Sequence, residues 1–146
     1  MSNLDERFFV TKLKWDVGEA GWTPSFEDNE GSRVLSLDSQ VIKDAFYMET
    51  AWFWAGDWPT TKDEKGIIKA HTHDYNEVVA YIGTDPDDMY DLGGELEFWV
   101  DGKKNIVDKS FLCFIPAGTE HGPIFFTKPI TRHIFHFTAG MGTSYK

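Results

Sequence analysis

Short runs of strand-forming residues recur along this chain at intervals of roughly ten residues, with turn-forming residues between them. In one run, Leu96, Phe98 and Val100 occupy the same face of a strand that ends at an Asp101-Gly102 hairpin turn. Between the runs, no stretch has the apolar spacing of a strong amphipathic helix. The pattern therefore predicts an all-β protein, either a sandwich or a barrel. The runs are SRVLSLDSQV, AFYMETAWFW, HTHDYNEVVAYI, GELEFWVDGKKNIV, SFLCFIPAGTEHGPIFF and TRHIFHFTAG.

The length and charge of the chain restrict its domain organisation and its partners. The 146 residues fit a single domain, 1–146, that is large enough to bury a core. A formal net charge of −10 argues against binding to nucleic acid or to anionic membranes. No run approaches the ~18 apolar residues of a membrane span. Since the N-terminus also lacks the pattern of a signal peptide, we expect a cytoplasmic protein.

Polar residues interrupt one of the runs in a way that suggests a metal site. His71, His73 and Glu77 have equal parity, so an unbroken strand would place all three on one face. A polar cluster on an otherwise apolar inward face is costly unless its members are paired or bound to something. Two neutral imidazoles and a carboxylate are good ligands for a divalent first-row metal. A third imidazole, from His121, follows the tight turn that the PAGTE segment predicts.

At these residues the sequence resembles the cupin superfamily. HTHDYNE matches the His-X-His and Glu of the family's first motif, and PAGTEH matches the Pro-X-Gly-X-X-His of its second. The resemblance covers residues 66–140 and implies a small jelly-roll β-barrel with little helix. It also implies one divalent transition metal per chain (Fe, Mn, Zn or Ni), held by His71, His73, Glu77 and His121.

The match departs from the family pattern at four positions that serve turns and packing. Gly66 and Gly83 each lie one residue closer to the first motif's ligands than is usual. Ser110 and Phe125 replace the usual glycine and asparagine of the second motif. These changes alter loop geometry and leave the four ligand positions in place.

The resemblance leaves several functions open. A small-molecule enzyme is favoured, and the family includes Fe(II)-dependent dioxygenases as well as non-redox isomerases, lyases and decarboxylases. One alternative is a cupin that binds or senses a small molecule without converting it. A metal-free, epimerase-like cupin is another. Four protein ligands would leave two positions open on a six-coordinate ion, enough to bind a bidentate oxyacid or enolate.

Other polar and aromatic residues are weaker candidates for the site, and packing is the simpler interpretation of each. For catalysis they are Tyr75, Tyr81 and Glu49, the last only if the Tyr47 face of its strand points inward. For substrate binding they are Trp52, Trp54, Arg132 and His136. His133 and His136 have opposite parity, so at most one of them points inward in a regular strand.

The N-terminal segment, residues 1–35, has no clear partner strand. We expect it to form an edge strand or an arm that lies on a neighbouring subunit. Because small cupins usually pair through sheet edges, the resemblance also implies a homodimer.

Overall fold

The fold was analysed in a computed structural model that describes residues 4–14, 31–57 and 69–142. Eight β-strands occur in these ranges. They are β1 (Gly31–Leu37), β2 (Tyr47–Phe53), β3 (Glu77–Ile82), β4 (Asp91–Val100), β5 (Lys103–Lys109), β6 (Phe111–Ile115), β7 (His121–Phe126) and β8 (Ile134–Gly140). The described part of the chain contains no helical segment that could span a bilayer. The all-β prediction is confirmed.

The strands form two antiparallel sheets. One has five strands in the order β1-β2-β8-β3-β6, and the other has three in the order β5-β4-β7. Neighbours such as β2 and β8 are far apart in sequence, as in a jelly roll. In the described ranges the sheets do not close into a hydrogen-bonded barrel, so the predicted barrel is better described as a two-sheet jelly roll. Between β7 and the segment before β3, a single backbone bridge joins His71 to His121.

The hydrophobic core lies between the two sheets. Strands β2, β3, β4, β6, β7 and β8 supply inward side chains to it, because successive side chains of a strand lie on opposite faces. On β2 the inward residues are Tyr47, Glu49, Ala51 and Phe53, all with no exposed surface. This answers the question of which face of β2 points inward. The core cluster is Phe53, Val79, Tyr81, Leu92, Leu96, Phe98, Ile115, Ile124, Phe126, Ile130 and Ile134.

The predicted hairpin is present between β4 and β5. Asp101 and Gly102 have positive φ angles of 51° and 74°, which the two central residues of a type I′ turn require. Leu96 and Phe98 are buried in the core as expected. On the opposite face of β4, Trp99 Nε1 donates a hydrogen bond of 2.7 Å to Glu97 Oε2.

One predicted segment differs from the structure, and a second is described only in part. The run that begins at His71 becomes a regular strand only at Glu77, because the chain bends at Asp74 and Tyr75. In the N-terminal segment, the described residues 4–14 contain a turn and no strand, whereas β1 is an edge strand of the larger sheet. Residues 15–30 and Gly66 lie outside the described residues.

Candidate metal centre

Three histidines converge at one end of the space between the sheets. His71 and His73 precede β3, and His121 is the first residue of β7. The backbones of His71 and His121 exchange two hydrogen bonds, of 2.9 and 3.0 Å, which hold the two segments side by side. One ligand atom from each of the three imidazoles lies within 4.8 Å of the other two. Residues that are about 50 positions apart in sequence thus form a single cluster of nitrogen donors.

Glu77 places a carboxylate against two of these imidazoles. Its Oε1 lies 3.1 Å from His121 Nε2, and its Oε2 lies 3.6 Å from His73 Nε2. The Glu77 side chain is buried, because it is the first inward residue of β3. The four residues predicted as metal ligands therefore lie in one place.

Backbone carbonyls orient two of the imidazoles. His71 Nδ1 lies 2.6 Å from the Lys69 carbonyl oxygen, and His121 Nδ1 lies 3.0 Å from that of Thr119. A carbonyl can only accept, so each Nδ1 carries the proton and donates. In this neutral tautomer the lone pair of Nε2 is available to bind a metal ion.

The donor set fits a divalent transition metal. Imidazole nitrogens with one carboxylate suit Zn, Fe, Mn or Ni better than the oxygen-only sites of Ca or Mg. Burial lowers the pKa of His71, which favours the neutral form that binds a metal. Burial also acts to lower the pKa of His121, but hydrogen bonds to Glu77 and Thr119 raise it overall. Because Glu77 stabilises the protonated form of His121, a metal that binds His121 must displace that proton.

The turn before β7 is tied to the segment that carries the first two histidines. The Gly118 amide donates to the His73 carbonyl at 2.8 Å, and the Ala117 amide donates to Asn76 Oδ1 at 2.9 Å. At Gly122, a Cβ atom would lie 2.6 Å from the Lys69 carbonyl oxygen, so a side chain there would push the two segments apart. The second motif thus positions His121 through contacts with the first motif.

The two candidate tyrosines occupy different surroundings. The Tyr75 ring stacks on the His73 ring, with centroids 4.8 Å apart and planes 6° apart. Tyr81 lies in the core, where its ring contacts those of Phe53 and His136. Burial, with a smaller contribution from the Glu77 charge, raises the pKa of Tyr81 far above its ordinary value. Tyr81 is therefore a neutral phenol, whereas Tyr75 is in direct contact with the cluster.

Glu49 and His136 are both buried, and each has a polar partner. Glu49 Oε1 lies 3.3 Å from Arg33 Nε, and both side chains are largely inaccessible to water. His136 Nδ1 donates to the Ala80 carbonyl at 2.9 Å, and burial lowers its pKa to about 4. Arg33 was missed at the sequence level, because a bulge in β1 obscures which of its residues face inward.

The remaining candidates lie away from the histidine cluster. Trp52 is on the outward face of β2 and stacks on Trp54 at 6.1 Å. Trp54 in turn packs edge-on against His133, which accepts a hydrogen bond from the Ala55 amide. Arg132 is exposed and lies 3.7 Å from Asp85. A role for these residues in substrate binding stays a prediction.

Solved structures resemble this chain in fold, at low sequence identity. No protein-family model matches the sequence, and no curated protein gives a significant sequence match. An oxalate oxidase in complex with glycolate matches at a TM-score of 0.52 and 15% identity, over 97% of this chain and 63% of the oxidase. A predicted oxalate decarboxylase from Thermotoga maritima matches at a TM-score of 0.50 and 15% identity, over 91% of this chain and 98% of the decarboxylase. An RmlC-like cupin from Shewanella frigidimarina matches at a TM-score of 0.45 and 17% identity, over 90% of this chain and 94% of that cupin. The chain thus spans less than two thirds of the oxidase, with which it shares a fold.

Proposed function

We propose that this chain, which has the cupin fold of the structures that it matches, is a metal-dependent enzyme acting on a small organic acid. One observation carries the proposal: His71, His73, His121 and Glu77 meet inside the protein, with two of the imidazoles oriented by backbone carbonyls. A buried polar cluster is costly to fold unless it is paired or binds something. A divalent metal offsets that cost for all four groups at once.

The charge of the centre favours an anionic substrate. Three neutral imidazoles and the Glu77 carboxylate contribute one negative charge to a divalent site, which leaves one positive charge to attract a carboxylate. The metal, when bound, would act as a Lewis acid toward a substrate oxygen. The oxalate oxidase that matches in fold was solved with glycolate, a small hydroxy acid. This supports a small oxyacid as the class of substrate.

The chain's own residues would hold the reacting groups in place. The Lys69 and Thr119 carbonyls fix the rings of His71 and His121, and the Tyr75 ring supports that of His73. Because His71 is partly exposed whereas His73 and His121 are buried, we propose that substrate enters from the His71 side.

Metal analysis is the first test of this proposal. Protein purified without an affinity metal should contain close to one transition-metal ion per chain. His121→Ala should lose most of that metal, whereas His133→Ala, an exposed histidine outside the cluster, should retain it. Metal-free wild-type protein, or equal metal in both variants, would contradict the proposed site.

A turnover screen is the second test. The loaded protein is incubated with small mono- and dicarboxylic acids, with and without oxygen, while oxygen uptake and product formation are recorded. Stoichiometric oxygen consumption with ferrous ion would assign a dioxygenase or oxidase. Turnover without oxygen would assign a non-redox lyase, isomerase or decarboxylase. If acids bind but are not converted, the chain is a binding protein and the enzyme proposal is wrong.

A further inference from the structure

A pocket outside the metal centre lies between the N-terminal segment and the outward side of β1 and β2. Its volume is about 280 Å³. Met48 and Thr50 belong to the outward side of β2, whereas Glu49 between them points into the core. The pocket and the metal centre therefore lie on opposite sides of the five-stranded sheet. The residues that line the pocket are Phe8, Val10, Leu35, Ser36, Leu37, Ile42, Met48 and Thr50.

The lining offers neither a charge nor a free polar side-chain group. None of the eight residues is ionisable. The Thr50 hydroxyl is occupied, because it donates to the Leu35 carbonyl oxygen at 2.9 Å and accepts from the Leu35 amide at 3.0 Å. Ser36 pairs with Glu49 across the strands, so its hydroxyl points into the core and away from the pocket. A molecule in the pocket would therefore meet apolar side-chain surface.

The volume of the pocket sets the size of the molecule that it can hold. An apolar cavity of about 150 Å³ stays dry and binds benzene. The pocket in this chain is nearly twice as large, which is enough for two fused aromatic rings. Met48 suits such a ligand, because its unbranched thioether adapts to irregular shapes and makes favourable contacts with aromatic rings.

The N-terminal segment forms the wall of the pocket that faces away from the sheet. The Phe8 and Phe9 amides donate to the Asp5 carbonyl oxygen at 3.0 and 3.1 Å, and this turn presents Phe8 to the pocket. Phe8 is nevertheless 71% exposed, so the pocket is open to solvent on this side. The Arg7 guanidinium lies over the Phe8 ring and pairs with Asp5 at 2.8 Å, which neutralises its charge at the opening.

We propose that this pocket binds a neutral apolar molecule with about the volume of two fused aromatic rings. A charged group inside it would lose its hydration without gaining a partner, which is costly. The net charge of −10 on the chain also repels anions, and the paired Arg7 offers them little compensation. Such a ligand would cover the exposed Phe8 ring and remove apolar surface from water. The site is separate from the metal centre and does not depend on its function.

The test is a fluorescence titration of the full-length chain with the neutral dye N-phenyl-1-naphthylamine. Binding should be saturable at one dye molecule per chain, and naphthalene should displace the dye. The dye 8-anilino-1-naphthalenesulfonate adds a charged sulfonate to the same ring system, and it should bind roughly tenfold more weakly or worse. Binding of the sulfonate as tight as that of the neutral dye would contradict the proposed ligand class, and non-saturable binding would contradict the site.

Two substitutions in the pocket locate the bound dye. Met48→Gln keeps the length of the side chain but introduces an amide that the dye would leave without a hydrogen-bond partner, so Kd should rise about tenfold. Ile42→Trp fills part of the volume and should weaken binding to a similar extent. The matched control is Met89→Gln, since Met89 is 62% exposed in the loop between β3 and β4 and does not line the pocket. Circular dichroism must show that each variant is folded.

Other apolar surfaces and other occupants give different results. Leu112 and Phe114 on β6 are 67% and 61% exposed, so the double variant Leu112→Asp/Phe114→Asp tests whether the dye binds there. This variant and His121→Ala should both bind the dye as the wild type does. Loss of binding in either of them, with Met48→Gln unaffected, would overturn the proposal. It would equally fail if the dye bound more weakly as the protein concentration rose, since a second copy of the chain would then fill the pocket.

Discussion

His136 shows how burial sets the charge of a single residue in this protein. Its ring contacts that of Tyr81 at 4.3 Å, and its Nδ1 donates to the Ala80 carbonyl at 2.9 Å. Burial lowers its pKa from 6.5 to about 4, although the Ala80 hydrogen bond and the Glu77 charge oppose that shift. At neutral pH the imidazole is therefore uncharged, and the folded protein resists protonating it.

This shift predicts a dependence of stability on pH. Between about pH 6.5 and pH 4, the unfolded chain takes up a proton at His136 that the folded chain does not. The contribution of His136 to the free energy of unfolding should therefore be fully present above pH 6.5. It should be lost as the pH is lowered to 4, a decrease of about 3 kcal/mol. Urea denaturation of the metal-free protein at several pH values measures the decrease.

The control for this prediction is His136→Gln, which removes the titrating group and keeps a polar side chain. The variant should be less stable at pH 7, because Gln fits the ring site poorly, but its stability should change less with pH. Parallel pH profiles for the two proteins would show that His136 does not cause the dependence.

At the scale of the strands, the end of β8 supports the metal centre through Tyr75. Gly140 is the last residue of β8 and pairs with Glu77 of β3, and Gly142 follows two residues later. The Tyr75 ring lies against both glycines, and it also stacks on the His73 ring. The backbone of one element thus sets the position of a ligand on another.

Gly140→Ala tests this support. The added Cβ would lie only 2.7 Å from Tyr75 Cδ1, so the ring must move, and with it the surface on which His73 rests. We expect metal affinity to fall by about tenfold, the lower end of the effect of disturbing a group that orients a ligand. Isothermal titration with Zn²⁺ measures it. In a Tyr75→Ala background the same substitution should cost little more affinity, and an equal loss in both backgrounds would contradict the proposed contact.

The strands were largely predictable, but the geometry of the first motif was not. Alternation of apolar residues and the Asp101-Gly102 turn are local signals, so β2, β4 and β5 lie close to where the sequence predicts them. Equal parity places His71 and His73 on one face only within a continuous strand, yet β3 begins only at Glu77. Their convergence comes from the backbone bridge between His71 and His121, a long-range contact that no local pattern encodes.

At the scale of the whole molecule, the metal centre joins the two sheets. His121 belongs to the three-stranded sheet, whereas Glu77 begins a strand of the five-stranded sheet. A bound metal would therefore link two layers that otherwise meet through core packing. Any ion that binds the folded state and not the unfolded chain stabilises the fold by mass action.

Removal of the metal should therefore lower thermal stability without removing the fold. At a metal concentration 100 times Kd the stabilisation is about 3 kcal/mol, which corresponds to roughly 5 to 10 °C in Tm for a chain of this size. Differential scanning calorimetry before and after chelation, and after Zn²⁺ is returned, measures the change. His121→Ala should show no response to chelation, and a similar response in that variant would place the ion elsewhere.

The sequence by itself determined the all-β class, most of the strands and the four metal-ligand candidates, because apolar alternation, turn residues and the residues of each motif lie within short stretches of sequence. Only the tertiary structure decided that the sheets stay separate, that Glu49 points inward beside Arg33, and that Trp52 lies on the outward side of β2. Parity shows which residues share a face, but strand pairing and burial decide which face is inside. The physical reason is that burial depends on contacts between segments far apart in the chain.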